Sequence, residues 1–202
     1  FTSTRTESQI KLSWGAVPGV THYRVYYRAG SSWKSLGYFT TNGVIIGKLS
    51  AGTKYTFAVR SYIKLEDAVV TGDYRIIETA TKTKAPNNIK ASVSKSSIGL
   101  TWEKVSGADG YRIYYKTSKT GAWKIAVSSM TGTSKSWSKL PAGTTYYFAI
   151  RPYIKTASGA VFGSYTQFPV TTLKQDKWMW PIGDRSYSTD STGLDFKAFF
   201  SA

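Results

Sequence analysis

Few side chains in this 202-residue chain are suited to covalent chemistry. It has one histidine, His22, in the predicted turn before a strand, where a solvated ring is the plain expectation. Cysteine is absent, so there is neither a disulfide framework nor a thiolate metal site, and no second imidazole stands ready to share a zinc ion. Glu66, Asp67 and Asp73 cluster between predicted strands. Oxygen ligands can suffice for calcium, but no recognised ligand spacing supports that use. Nothing pairs those acids with a base or a substrate cleft. A glycine-rich phosphate cradle and a nucleophile elbow are both missing. The expectation is a protein with no catalytic residues, no metal and no cofactor.

What the chain has in quantity is tyrosine, tryptophan and positive charge. It carries 15 Tyr, 7 Trp and a formal charge of +16. Residues 1–84 hold 12 cations against 5 acids, residues 85–173 hold 11 against 2, and residues 174–202 hold 4 of each. The charge therefore lies along the body of the chain and can build an extended field that favours polyanions. Simple solubility is the competing explanation. No apolar run reaches the 18 or so residues of a membrane span. The chain opens with neither an initiator Met nor a signal sequence, as expected for a mature form or an excised fragment.

An internal repeat sets the strands on which these residues lie. WGAVPGVTHYRVYYR, from Trp14 to Arg28, returns 88 residues later as WEKVSGADGYRIYYK, from Trp102 to Lys116. LSAGTKYTFAVRSYIK from Leu49 returns 91 residues later as LPAGTTYYFAIRPYIK from Leu140. A three-residue insertion around Ser118–Ala122 accounts for the change of offset. Within each copy the apolar residues alternate with period two: Ile10, Leu12 and Trp14; Tyr23, Val25 and Tyr27; Tyr55, Phe57 and Val59. Gly and Ser clusters punctuate the runs, so each copy reads as an all-β sandwich or barrel.

The ordered set of an early-strand Trp, a Tyr-x-Val/Ile-x-Tyr strand and an L-x-x-G-T-x-Y segment resembles the fibronectin type III family, in the style of bacterial surface and secreted proteins. The resemblance implies two tandem immunoglobulin-like β-sandwiches, residues 1–84 and 85–173, with a short C-terminal extension over 174–202. Leu49–Tyr55 and Leu140–Tyr146 would each be a tyrosine corner, the phenol bonding back to nearby backbone. The first copy begins 13 residues before its Trp, whereas Pro86 stands 16 before Trp102, so strand A of module one is expected to be clipped or irregular. The joint Thr81–Pro86 is short and contains Pro, which implies a semi-rigid connection. In the extension, Trp178-Met-Trp-Pro181 and Thr192-Gly-Leu-Asp-Phe196 are similar to pieces of a LytM-type zinc peptidase, but Ser191 stands where that family has a zinc-binding His. The other reading of the extension has Trp178, Trp180, Phe196, Phe199 and Phe200 docking on module two or on a partner.

In the family's topology the Tyr23 and Tyr55 strands are neighbours. Their outward residues would be Arg24, Tyr26 and Arg28 beside Arg60 and Tyr62. Module two would repeat the face with Arg112, Tyr114 and Lys116 beside Tyr147, Arg151 and Tyr153. Trp33 and Trp123 would extend this face or complete the core. Cross-strand packing explains such residues without a ligand. Flat rings and cations would equally suit sugars bearing carboxylate or phosphate. Three functions stay open: a non-catalytic binding or spacer region of a bacterial extracellular protein, the accessory region of a secreted hydrolase, and a self-associating structural module. Partners under the first would be an anionic polysaccharide, a cell-wall polymer or a protein, with nucleic acid a lesser option.

Overall fold

The computed structural model describes residues 1–175, so the peptidase-like segment and the aromatic cluster of the extension lie outside the described residues. The first module contains β1 (Thr2–Arg5), β2 (Ile10–Ser13), β3 (His22–Arg28), β4 (Lys34–Phe39), β5 (Gly43–Ile46), β6 (Lys54–Lys64), β7 (Val69–Thr71) and β8 (Arg75–Ala80). The second repeats the plan with β9 (Lys90–Val93), β10 (Ile98–Thr101), β11 (Gly110–Lys116), β12 (Lys124–Met130), β13 (Ser134–Trp137), β14 (Thr145–Thr156), β15 (Gly159–Phe162) and β16 (Thr166–Thr171). Each module is a sandwich. In module one, β1-β2-β5 faces the larger sheet β4-β3-β6, whose far side carries β7 and β8 end to end along β6. Module two has β9-β10-β13 opposite β12-β11-β14, with β15 and β16 along β14. Every pairing is antiparallel. No helix among the described residues is long and apolar enough to cross a membrane.

Period-two patterning fills the space between the sheets. Ile10, Leu12, Tyr23, Val25, Tyr55, Phe57 and Val59 form one buried core. Ile98, Leu100, Trp102, Tyr111, Ile113, Phe148 and Ile150 form the other. The first strand of module one is not clipped. Thr2 pairs with Ser13 and Arg5 with Ile10, the same register in which Lys90 and Val93 meet Thr101 and Ile98. Four ladder residues suffice at this sheet edge, so the shorter stretch before Trp14 costs the strand nothing. The inserted residues divide between the turn that leads into β12 and a second register shift along the β11–β12 pair, against one shift along β3–β4.

Two tyrosine contacts repeat at each Trp-bearing end. The Tyr23 hydroxyl accepts the Val17 N–H at 2.8 Å, and Tyr111 accepts that of Val105 at 2.8 Å. Trp14 and Trp102 each meet their tyrosine edge-on, with ring centroids 5.4 Å apart. The tyrosine corner differs between copies. Tyr55 accepts the Ser50 N–H at 3.2 Å, but the equivalent position in module two is Pro141, which has no N–H to give. Both corners keep a threonine latch instead: Thr81 Oγ1 donates to Ser50 O at 2.6 Å and accepts from Thr53 N, as Thr172 Oγ1 does with Pro141 O at 2.7 Å and Thr144 N. Tyr55→Phe is therefore expected to destabilise module one by about 0.5–1.5 kcal/mol, the net worth of one hydrogen bond. Tyr146→Phe should leave module two's denaturation midpoint almost unmoved, and equal losses at the two sites would show that the Ser50 bond contributes nothing.

The joint between the modules is built, not merely tethered. Thr81, Thr83 and Pro86 are buried. Lys82 N donates to Thr6 O at 2.8 Å, and Ser164 N donates to Thr83 O at 3.1 Å. From module two, the Ser164 hydroxyl donates to Glu7 Oε1 at 2.5 Å, and the Ala157 N–H donates to Glu78 Oε1 at 3.0 Å. Ala80 of module one closes a small apolar cluster with Ile154 and Val161 of the β14–β15 hairpin. A Lys54–Asp109 ion pair at 3.3 Å lies on the rim, with both partners well exposed, and adds little.

Candidate functional site

The outer face of each larger sheet gathers the predicted residues. In module one Arg24 pairs with Arg60 across β3 and β6, and His22 pairs with Tyr62. The rings there lean on one another. Tyr26 meets Tyr74 edge-on at 5.9 Å, and Tyr38 meets Tyr62 at 5.4 Å. The Arg24 guanidinium lies over both Tyr26 and Tyr38, at 5.0 and 5.1 Å from the ring centroids. Arg60 stacks on Tyr74 at 4.8 Å, donates from Nε to Gly72 O at 3.1 Å and reaches Thr71 Oγ1 through Nη2. Arg28 covers Trp33 at 4.9 Å.

Hydrogen bonding to Tyr62 raises the Arg24 pKa above its ordinary value against an opposing desolvation, so the charge is firmly held. Partial burial pushes the Tyr26 phenol up, with Arg24 pulling the other way. Near neutral pH Arg24 is thus cationic and Tyr26 a neutral phenol. Arg60 is held by a ring and a carbonyl of the same module, while Arg24 and Arg28 lie over rings and the buried Arg24 Nε has no hydrogen-bond partner among the described residues; ring stacking of this kind is the packing use of such residues.

Module two repeats the frame with a different filling. Arg151 donates from Nε to Gly163 O at 3.0 Å, the counterpart of Arg60 and Gly72, and lies over Phe162 and Tyr165 at 5.2 and 5.9 Å. Arg112 also lies over Phe162, at 4.5 Å, and donates to Ser128 O at 3.0 Å. Lys116 stands between Trp123, at 4.7 Å, and Tyr147, at 5.9 Å. Tyr114 and Tyr165, the counterparts of the touching pair Tyr26 and Tyr74, instead line an open cleft of about 240 Å³ with Trp123, Ala149 and Arg151. Trp123 is also a wall of a second cleft of about 320 Å³ that runs past Lys116, Lys119, Tyr147 and Pro169. The two clefts share Trp123 as a wall, with Arg151 in the first and Lys116 and Lys119 in the second.

Two expectations are corrected here. Tyr153 does not belong to the open face: it is 4% exposed, its hydroxyl shares a hydrogen bond of 2.6 Å with Ser129 Oγ, and Phe162 meets it edge-on. The cause is its cross-strand partner Gly110, where even a Cβ would fall 2.5 Å from the Tyr153 oxygen, so the bare glycine lets the ring lie flat. In module one the partner is His22, which opens strand β3 rather than occupying a turn, and Tyr62 stays half-buried. Sequence reading also missed Tyr165 and Tyr74. Both follow the far-edge strand outside the two repeated segments, and Tyr165 is 52% exposed. Among the described residues no group of three or more His, Cys, Asp or Glu could hold a metal ion.

Residues 84–172 match the sequence model of the Fibronectin type III domain. The chain is 28% identical over 184 residues to Chitinase A1 of Niallia circulans, covering 84% of this chain and 24% of that protein. It is 27% identical over 156 residues to Fibronectin type III domain-containing protein 7 of Mus musculus, covering 77% and 20%. Over 70 residues it is 30% identical to Amylopullulanase of Thermoanaerobacterium saccharolyticum, covering 35% and 6%. The chain thus spans a quarter or less of the length of each relative. A two fibronectin type-III domain segment from chicken tenascin superposes with a TM-score of 0.50 at 20% identity, covering 85% of this chain and 97% of that one, a likeness of fold.

Proposed function

Because this chain carries two fibronectin type III modules in tandem, we propose that it is the non-catalytic accessory segment of an extracellular polysaccharide-degrading enzyme, and that module two holds an anionic glycan along its Trp123 track. The observation that carries this reading is the opening of the Tyr114–Tyr165 cleft beside Arg151, where module one closes the equivalent rings on each other. A cleft of about 240 Å³ falls below the ~300–1,000 Å³ of enclosed small-molecule sites. It suits one stretch of a polymer lying across the sheet. Tyr114, Trp123 and Tyr165 offer flat surfaces to sugar rings, while Arg151 and Lys116 supply charge for carboxylate or phosphate substituents. Two relatives bear the names of polysaccharide hydrolases, Chitinase A1 and Amylopullulanase, which supports the accessory role and an extracellular location.

The test is a binding panel over a salt series with acidic polysaccharide, peptidoglycan with wall polymer, neutral chitin and DNA. Selective retention on one anionic glycan, weakened but not abolished by salt, is expected. Binding that follows polymer charge alone, DNA included, would reduce the track to a basic surface.

A further inference from the structure

The hairpin that docks module two onto module one has a counterpart in module one, and none of the described residues covers it. In module two, Ile154 pairs with Val161 across β14 and β15, and both side chains are buried against Ala80 at the end of β8. In module one, Ile63 pairs with Val70 across β6 and β7 in the same register. Val161 is 3% exposed, whereas Val70 is 51% exposed, and Leu65 and Val69 beside it are also open. Among the described residues the repeat therefore presents the same apolar hairpin twice, once covered by a module end and once exposed.

The hairpin tips differ in charge. In module two the tip residues Ala157 and Ser158 hold Glu78: the Ala157 N–H donates to Glu78 Oε1, and the Ser158 hydroxyl donates to the Glu78 carbonyl. The matching tip of module one is Glu66-Asp67, both exposed. A module end like that of module one would bring its own carboxylate against these two acids. An end with a cation in the place of Glu78 would meet complementary charge in an otherwise basic chain.

We infer that the β6–β7 hairpin of module one is a docking face for the end of another fibronectin type III module, one with a small apolar residue at the Ala80 position and Lys or Arg at the Glu78 position. Ile63 and Val70 take the apolar residue, as Ile154 and Val161 take Ala80. Glu66 and Asp67 select the cation. The existing joint sets the geometry, and the tip chemistry sets the partner.

The chain has no cysteine, so a single introduced thiol reports directly on coverage of the hairpin. A fusion with residues 1–88 placed before Phe1 keeps the natural register, since Trp14 then follows the join at the spacing of Trp102. Val70→Cys is introduced in the second copy only, and the leading copy carries Glu78→Lys. Thiol labelling of this fusion should be slower than that of the 202-residue Val70→Cys protein by about tenfold, because only the undocked state exposes the sulfur. Leu65→Cys at the tip is expected to give the same result and guards against a local effect at Val70. Labelling at the parent rate overturns the inference. Equal protection when the leading copy keeps Glu78 overturns the cationic partner, and protection of the parent alone that grows with concentration makes the occupant a second copy instead.

Discussion

Phe148→Ala is expected to destabilise module two by about 3–5 kcal/mol, so that it unfolds at lower denaturant than module one. Phe148 is almost fully buried and stacks on Trp137 at 5.0 Å and on Tyr146 and Phe168 at 6.2 Å each. Module one places Ile46 and Ile77 where module two has Trp137 and Phe168, so the second core depends more heavily on ring packing. Truncating the central ring leaves three aromatic neighbours around a void that rigid side chains cannot close. Denaturant unfolding followed by tryptophan fluorescence should show Trp137 entering water in an early transition. A loss below about 1.5 kcal/mol, typical of well-tolerated hydrophobic swaps, would mean that the core repacks around the gap.

The joint is equally sharp in its demands. Gly163→Ala is expected to open it, because the new Cβ would lie 1.9 Å from Thr83 Oγ1 and 2.7 Å from Thr83 O. Thr83 is buried and its carbonyl is already held by Ser164 N, so the linker has nowhere to yield without releasing that bond. The cost is about 1–3 kcal/mol, as for other overpacked sites. It should appear as faster tryptic cleavage at Lys82 and Lys84, with both sandwiches still folded. Thr83→Ala alongside it removes one clash and leaves the carbonyl contact, so partial recovery is expected. Unchanged cleavage in the single variant would show that the modules are held elsewhere.

Much of this fold is legible in the sequence. The two offsets, 88 and 91, located both sandwiches, and parity along β3, β6, β11 and β14 placed the Arg–Tyr faces outward. Parity failed where the cross-strand neighbour decided the outcome. Tyr153 shares the outward parity of Arg151, but its burial follows from Gly110, 43 residues away in sequence. The corner motif L-x-x-G-T-x-Y occurs twice, but only Ser50 can donate to its tyrosine, a difference visible as soon as Pro141 is read as a missing N–H. Tyr165 stayed hidden because the strand ends beyond the repeated segments carry no pattern of their own. Whether an aromatic pair closes, as Tyr26 and Tyr74 do, or opens, as around Tyr114 and Tyr165, depends on packing details that period-two reading does not contain.

Two tryptophans at equivalent places, Trp33 and Trp123, separate a glycan track from a packed surface. Affinity for an acidic polysaccharide would be measured for the 202-residue protein, for Trp123→Ala and for Trp33→Ala, at low and moderate salt. Trp123 joins the two clefts of module two, whereas Trp33 lies beneath Arg28 on the closed face of module one. Trp123→Ala is expected to weaken binding by about tenfold or more, as loss of a central aromatic anchor does, while Trp33→Ala leaves it unchanged. Equal losses at the two positions, or no loss at either, would contradict a glycan track on module two and leave both faces as packed, solvated surfaces.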